Sequence, residues 1–151
     1  MKTYGPKINP AQKEKLLAAL KARPYLKPLA QKLIAIGGDV PCIWNEDFSL
    51  TQNFVAVLLG LARLSNGSYA RPRQMEQNRC HHNAIKLAAK YPHKYQRETG
   101  LALSDDGIWR VHSWAFDMAK NEIVETTVPQ RKYFGVTLAI TAGDKEEIKA
   151  A

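Results

Sequence analysis

Apolar positions recur at helical spacing through the first half of the chain and give way to short strand-like runs in the second. Pro10 suits the first turn of a helix, and 11–21 follow with Leu16, Leu17 and Leu20 as a narrow apolar stripe. Pro24 ends that helix. Pro28 starts a second one over 28–36, which Gly37 and Gly38 stop. Residues 39–50 read as an irregular loop anchored by Pro41 and Trp44. Thr51 suits the N-cap of a third, largely buried helix reaching Leu64, and 65–68 form a turn cluster.

After this the period changes. One helix is predicted over 80–90, with Ala84, Leu87 and Ala88 on its inner face and Tyr91-Pro92 closing it. Strands are predicted at 100–103, 108–116, 122–127 and 134–140. The run Ser104-Asp105-Asp106-Gly107 is a strong turn signal between the first two, and 117–120 turn the chain again. The polar tail after Gly143 is frayed or a short helix. The expected fold class is α+β in one domain over 1–151. A helical part covers 1–70, and in a core over 71–143 the Cys80 helix packs on a small antiparallel sheet.

Length and composition are compatible with that picture. A chain of 151 residues buries a core without disulfides or metals, and 45% hydrophobic residues argue against disorder. The longest apolar run, 54–62, is about half of the ~20 residues that a membrane span needs. The segment Met1-Lys2-Thr3-Tyr4-Gly5-Pro6 lacks the apolar centre of a signal peptide, so a cytoplasmic setting is expected. Two cysteines make no disulfide framework, and a reducing compartment keeps them as thiols. The net charge of +8 is uneven: residues 1–74 carry 11 Lys/Arg and 4 Asp/Glu, residues 75–151 carry 11 and 10. This basic half could attract nucleic acid or another acidic partner, or it is a solvated lysine-rich surface; no aromatic-basic motif accompanies it.

The chemistry gathers in the second half. Cys80 stands where a helix begins, and backbone N–H groups at a helix N-terminus lower a thiol pKa. His112 lies on a predicted strand and can supply the imidazole of an ion pair. If 117–120 form a four-residue loop, Phe116 pairs with Asn121 and His112 faces Glu125, on the sheet face toward the Cys80 helix. A carboxylate there can orient the imidazole and stabilise its charged form. A slip of one residue would send Glu125 to the other face. Cys80 also has a plainer reading as a small buried hydrophobe. His81 and His82 are read as exposed helix-start residues. No Cys or His pair has metal-ligand spacing, so neither metal nor cofactor is expected.

This pattern resembles the papain-like and transglutaminase-like cysteine enzymes over about residues 74–135. The residues that carry the resemblance are Cys80-His81-His82-Asn83-Ala84, Gly100-Leu101-Ala102-Leu103, Val111-His112-Ser113-Trp114, Ile123-Val124-Glu125-Thr126-Thr127 and Tyr133-Phe134-Gly135. The chain lacks the Gly and Trp that flank the papain cysteine, and Glu stands where Asn or Asp is usual. The resemblance implies a papain-like core, a Cys80 nucleophile, a His112 base and a Glu125 orienter. Papain-like enzymes carry a Gln six residues before the nucleophile, whose amide helps the oxyanion hole; Gln74 has that spacing and Gln77 is its rival. Trp114 and Asn83 are expected to wall the substrate cleft. The implied activity is thiol hydrolysis or acyl transfer at an amide or peptide-type bond, with a peptide or protein substrate. The alternative is a non-catalytic basic module, on the same scaffold, that binds nucleic acid or protein.

Overall fold

The computed structural model describes residues 10–38, 40–41 and 50–150, so Cys42 and Trp44, and with them most of the expected loop, lie outside the described residues. These residues form five α-helices and a curled seven-stranded mixed sheet, an α+β fold. None of the helices is long and apolar enough to cross a membrane.

The helices α1 (Pro10–Ala22), α2 (Lys27–Ile36) and α3 (Gln52–Leu61) form where the prolines and caps require. Pro28 lies in the first turn of α2, and Thr51 caps α3 by accepting from the Phe54 N–H at 3.2 Å. The α2 helix ends at Gly37, where the exposed carbonyls find partners. Lys132 Nζ donates to Ile36 O and Trp109 Nε1 to Gly37 O, both at 2.7 Å. The expected stripe on α1 is only partly used: Ala19 and Leu20 pack inward, whereas Leu17 is exposed.

The strands are β1 (Val40–Pro41), β2 (Arg63–Asn66), β3 (Arg71–Pro72), β4 (Tyr95–Leu103), β5 (Ile108–Asp117), β6 (Glu122–Glu125) and β7 (Lys132–Leu138). Helix α4 (Cys80–Lys90) precedes β4, and α5 (Ala142–Ala150) follows β7. The sheet order is β2-β7-β4-β5-β6-β3, with β1 beside β5. The strands β2 and β3 therefore sit at opposite edges, yet the chain joins them through the single short turn Gly67–Tyr69 and Ala70. That connection draws the two edges together and curls the sheet.

Side chains alternate between the two faces. The outer face carries Leu101, Leu103, Trp109, Phe134 and Val136 against α2 and α3, and Ala115 and Val124 against Leu87 of α4. The concave face carries Ala102, Trp114, Ile123 and Tyr133. Full burial of each large apolar side chain contributes about 1.5–3 kcal/mol, so the outer layers are the main support of the fold.

Four expectations need correction. Residues 63–66 leave the helix and pair with β7, where Leu64 meets Phe134. The sheet is mixed rather than antiparallel, because β1 and β3 run parallel to β5 and β6. Each of these strands is two residues long and contains a proline, which is tolerated at such edges but reads as a breaker. The β5–β6 register also differs. Phe116 pairs with Ile123 and Asp117 with Glu122. The Asp117 carboxylate accepts from the Ala119 and Lys120 N–H groups, and Asn121 takes a left-handed conformation (φ 53), so the loop is Met118 to Asn121. Finally, His112 and Glu125 occupy the concave face, not the face against which α4 packs.

Candidate active site

The α4 helix starts abruptly at Cys80. Gln77 and Asn78 form a turn in which Asn78 is left-handed (φ 62), and the N-cap Arg79 supplies no side-chain cap. Asn83 is buried and donates from Nδ2 to Glu76 O at 2.7 Å, tying this turn to the helix. It holds the loop behind the thiol rather than walling the cleft.

The thiol meets the sheet where β6 runs out. The β5–β6 pairing covers Ala115 to Asp117 on β5, so β5 has no β6 neighbour beside His112. There Cys80, His112, Gln77, Asn78, Thr127 and Val128 enclose an open cavity of about 280 Å³. Gln74 is exposed on the strand-like stretch running beside β6, whose neighbours Arg73 and Met75 donate their N–H groups to Glu125 O and Thr126 O. The structure thus brings Gln77, and not Gln74, to the cavity.

His112 Nε2 donates to Glu125 Oε1 at 2.8 Å, which leaves Nδ1 for the thiol. Glu125 is fully buried and every bond it makes is an acceptor bond, as a carboxylate requires. Its Oε1 also accepts from Tyr133 OH at 2.8 Å, and its Oε2 from the Thr127 N–H at 3.0 Å and the Thr127 hydroxyl at 3.2 Å. Trp114 is buried with its ring stacked on His112, centroids 6.0 Å apart, and its Nε1 donates to Glu98 Oε1 at 2.8 Å. It forms the floor beneath the imidazole and does not line the cavity. Gly135 makes room for it: a Cβ there would lie 2.6 Å from Trp114 Cζ2 and Cη2.

These contacts set the charges. Burial alone would push the Cys80 thiol up, but hydrogen bonding with His112 and His81 outweighs it and brings the pKa down to about 5. Burial disfavours the His112 imidazolium, yet its bonds to Cys80 and Glu125 raise its pKa to about 9. Burial likewise pushes the Glu125 carboxyl up, and the His112 charge with the Thr127 and Tyr133 donors holds it below the usual carboxylate range. At neutral pH the arrangement is a thiolate–imidazolium pair backed by an ionised carboxylate.

The partners Tyr133 and Thr127 fall in stretches that carry the resemblance, but the sequence assigns neither of them a bond to Glu125. Thr127, two residues after Glu125, has the spacing of a local side-chain-to-backbone turn, which was the available signal. His81 also departs from expectation: although exposed, its Nδ1 hydrogen-bonds Ser113 Oγ. Of the basic first half, Arg63 pairs with Glu98 at 2.8 Å and Arg71 with Glu122 at 3.0 Å, so part of that charge is met by carboxylates of the second half. Compared with models of known protein families, with curated proteins and with solved structures, the chain matches none of them.

Proposed function

We propose that the protein is a cysteine-dependent hydrolase or acyl-transfer enzyme acting on an amide or peptide-type bond through Cys80, His112 and Glu125, on a papain-like core. The observation that carries this reading is one chain of contacts. A helix-start thiol lies against an imidazole whose far nitrogen is 2.8 Å from a buried carboxylate, at the floor of an open cavity. Charged pairs of this kind activate a thiol as a nucleophile.

In the proposed reaction the Cys80 sulfur attacks the substrate carbonyl carbon, and the negative charge passes to the carbonyl oxygen. The Cys80 backbone N–H and the Gln77 amide stabilise that oxygen, each donor contributing about 3 kcal/mol. His112 gives its Nδ1 proton to the leaving amine as the C–N bond breaks, which leaves a thioester on Cys80. Neutral His112 then takes a proton from water, or from an acceptor amine, which attacks the thioester and expels the thiolate. Glu125 keeps the ring oriented and offsets its charge throughout.

The test is acyl-enzyme trapping. Wild type and Cys80→Ala are exposed to a panel of amide- and ester-linked chromogenic peptides, with intact-mass spectrometry after acid quenching. An acyl adduct on Cys80 and turnover that Cys80→Ala abolishes support the proposal. Turnover that survives Cys80→Ala, or no adduct and no turnover across the panel, contradicts it. Retention on DNA that falls steeply with salt and ignores Cys80→Ala would point instead to the basic binding module.

A further inference from the structure

Two imidazoles, not one, approach Cys80, and they do so from opposite sides of β5. His112 and Ser113 are neighbours on that strand, so His112 faces the concave side and Ser113 faces α4. Ser113 is fully buried, and its hydroxyl lies 2.7 Å from Thr99 Oγ1 and 2.5 Å from His81 Nδ1. His81 is the residue after Cys80 and would otherwise be free to turn into solvent. The buried Ser113–Thr99 pair instead pins its ring over the strand edge.

We infer that His81 is a second functional imidazole of this site: anchored through Nδ1 to Ser113, it stabilises the Cys80 thiolate from the side of β5 opposite His112. The inference rests on the Cys80–His112 reading above and adds a residue to it. The Ser113 hydroxyl, itself held by Thr99, engages Nδ1 and leaves Nε2 as the ring nitrogen open to another partner. Hydrogen bonding from His81 is among the contacts that lower the thiol pKa. The two rings differ in access. His112 is buried against Trp114 and Tyr133, whereas His81 is exposed. His81 forms no bond to carbon. It supports the sulfur charge whenever Cys80 is a thiolate: before the attack and as the thioester breaks.

Several charged or titratable groups surround the thiol. His82 lies on its own helix, and Arg79 with its ion-pair partner Glu76 lies in the turn before it. His112 comes from β5, with Glu125 of β6 and Tyr133 of β7 behind it. A pH profile that separates His81 from these is therefore the useful measurement. Iodoacetamide alkylation of Cys80 in the full chain is followed by peptide mass spectrometry between pH 5 and 9, with Cys42 as internal reference, for wild type, His81→Asn, His81→Gln and Ser113→Ala. Melting temperatures confirm folding. The His81 variants are expected to alkylate about fivefold more slowly than wild type at pH 5 and about twofold more slowly at pH 6, and to converge with it by about pH 8, as a thiol pKa raised by about one unit from about 5 requires. Ser113→Ala is expected to shift the profile in the same direction by a smaller factor. Profiles of both His81 variants that superpose on a reactive wild type overturn the inference alone. A wild-type Cys80 that reacts at pH 6 no faster than Cys42 overturns the Cys80–His112 reading and this inference with it.

Discussion

Glu125 reaches His112 diagonally: the β5–β6 ladder sets Ala115 against Val124, so its next step brings Glu125 beside Trp114, yet Oε1 lies 2.8 Å from His112 Nε2. Both side chains remain on the concave face because the register differs from the simplest hairpin by two residues, an even number. Trp114, two residues after His112 on β5, stacks on the imidazole and is itself buried, which keeps the pair in a low-dielectric setting.

Glu125 accepts four hydrogen bonds while fully buried, so Glu125→Gln is expected to affect stability as well as rate. The amide turns a donor toward groups that are themselves donors, at a cost of about 1–3 kcal/mol. Thermal melting should register that loss. Turnover should fall, but by less than in His112→Ala, because an orienting group contributes less than the base itself.

The pH profile should be bell-shaped. The thiolate is lost as pH falls through about 5, where Cys80 takes up a proton. The imidazolium is lost as pH rises through about 9, where His112 releases one. Activity is expected to plateau between these limits, and each limb belongs to the pair rather than to one residue. Initial rates on any substrate that acylates Cys80 measure it. In Glu125→Gln the alkaline limb should move to lower pH, since the charge that favours the imidazolium is gone.

Gly135 stands across from Gly100, which in turn pairs with His112. A methyl group at 135 would meet Trp114 at 2.6 Å and Thr99 O at 2.8 Å. Gly135→Ala should therefore cost about 1–3 kcal/mol through overpacking. It should also lower turnover from outside the cavity by displacing the ring beneath His112. Melting temperature and kcat together check it.

Gln77 borders the cavity and Gln74 does not. Gln77→Ala should reduce kcat by about 10²–10³-fold, the usual effect of losing one oxyanion donor, with little change in melting temperature. Gln74→Ala should stay near wild type. Equal effects of the two substitutions on kcat would remove Gln77 from the oxyanion site.

Local chemistry made much of this legible from the residues. Pro28 with Gly37, the Thr51 cap, the helix beginning at Cys80 and the turn closed by Gly107 (φ 83) all follow rules that act within a few residues. What the sequence hid depends on distant partners. Strand β2 exists because β7 is there to pair with it, and β3 because Val124 and Glu125 of β6 stand beside Arg71 and Pro72. The register of Glu125 turned on Asp117 and Asn121, whose turn chemistry slides the loop by one residue. Cys80, His112 and Glu125 were readable as residue types at plausible spacing. The Tyr133 and Ser113 contacts were not, because each depends on how distant elements pack: Tyr133 of β7 reaches Glu125 of β6 across the concave face, and Ser113 meets His81 only where α4 lies on β5.

The most direct test of the thiolate–imidazolium pair is competitive labelling of the two cysteines at pH 6 by a limiting thiol reagent, in wild type and in His112→Ala. Cys80, lowered to about 5, should label at least about tenfold faster than Cys42 in wild type and should lose that advantage in His112→Ala. Equal labelling of Cys80 and Cys42 in the wild type would contradict the site.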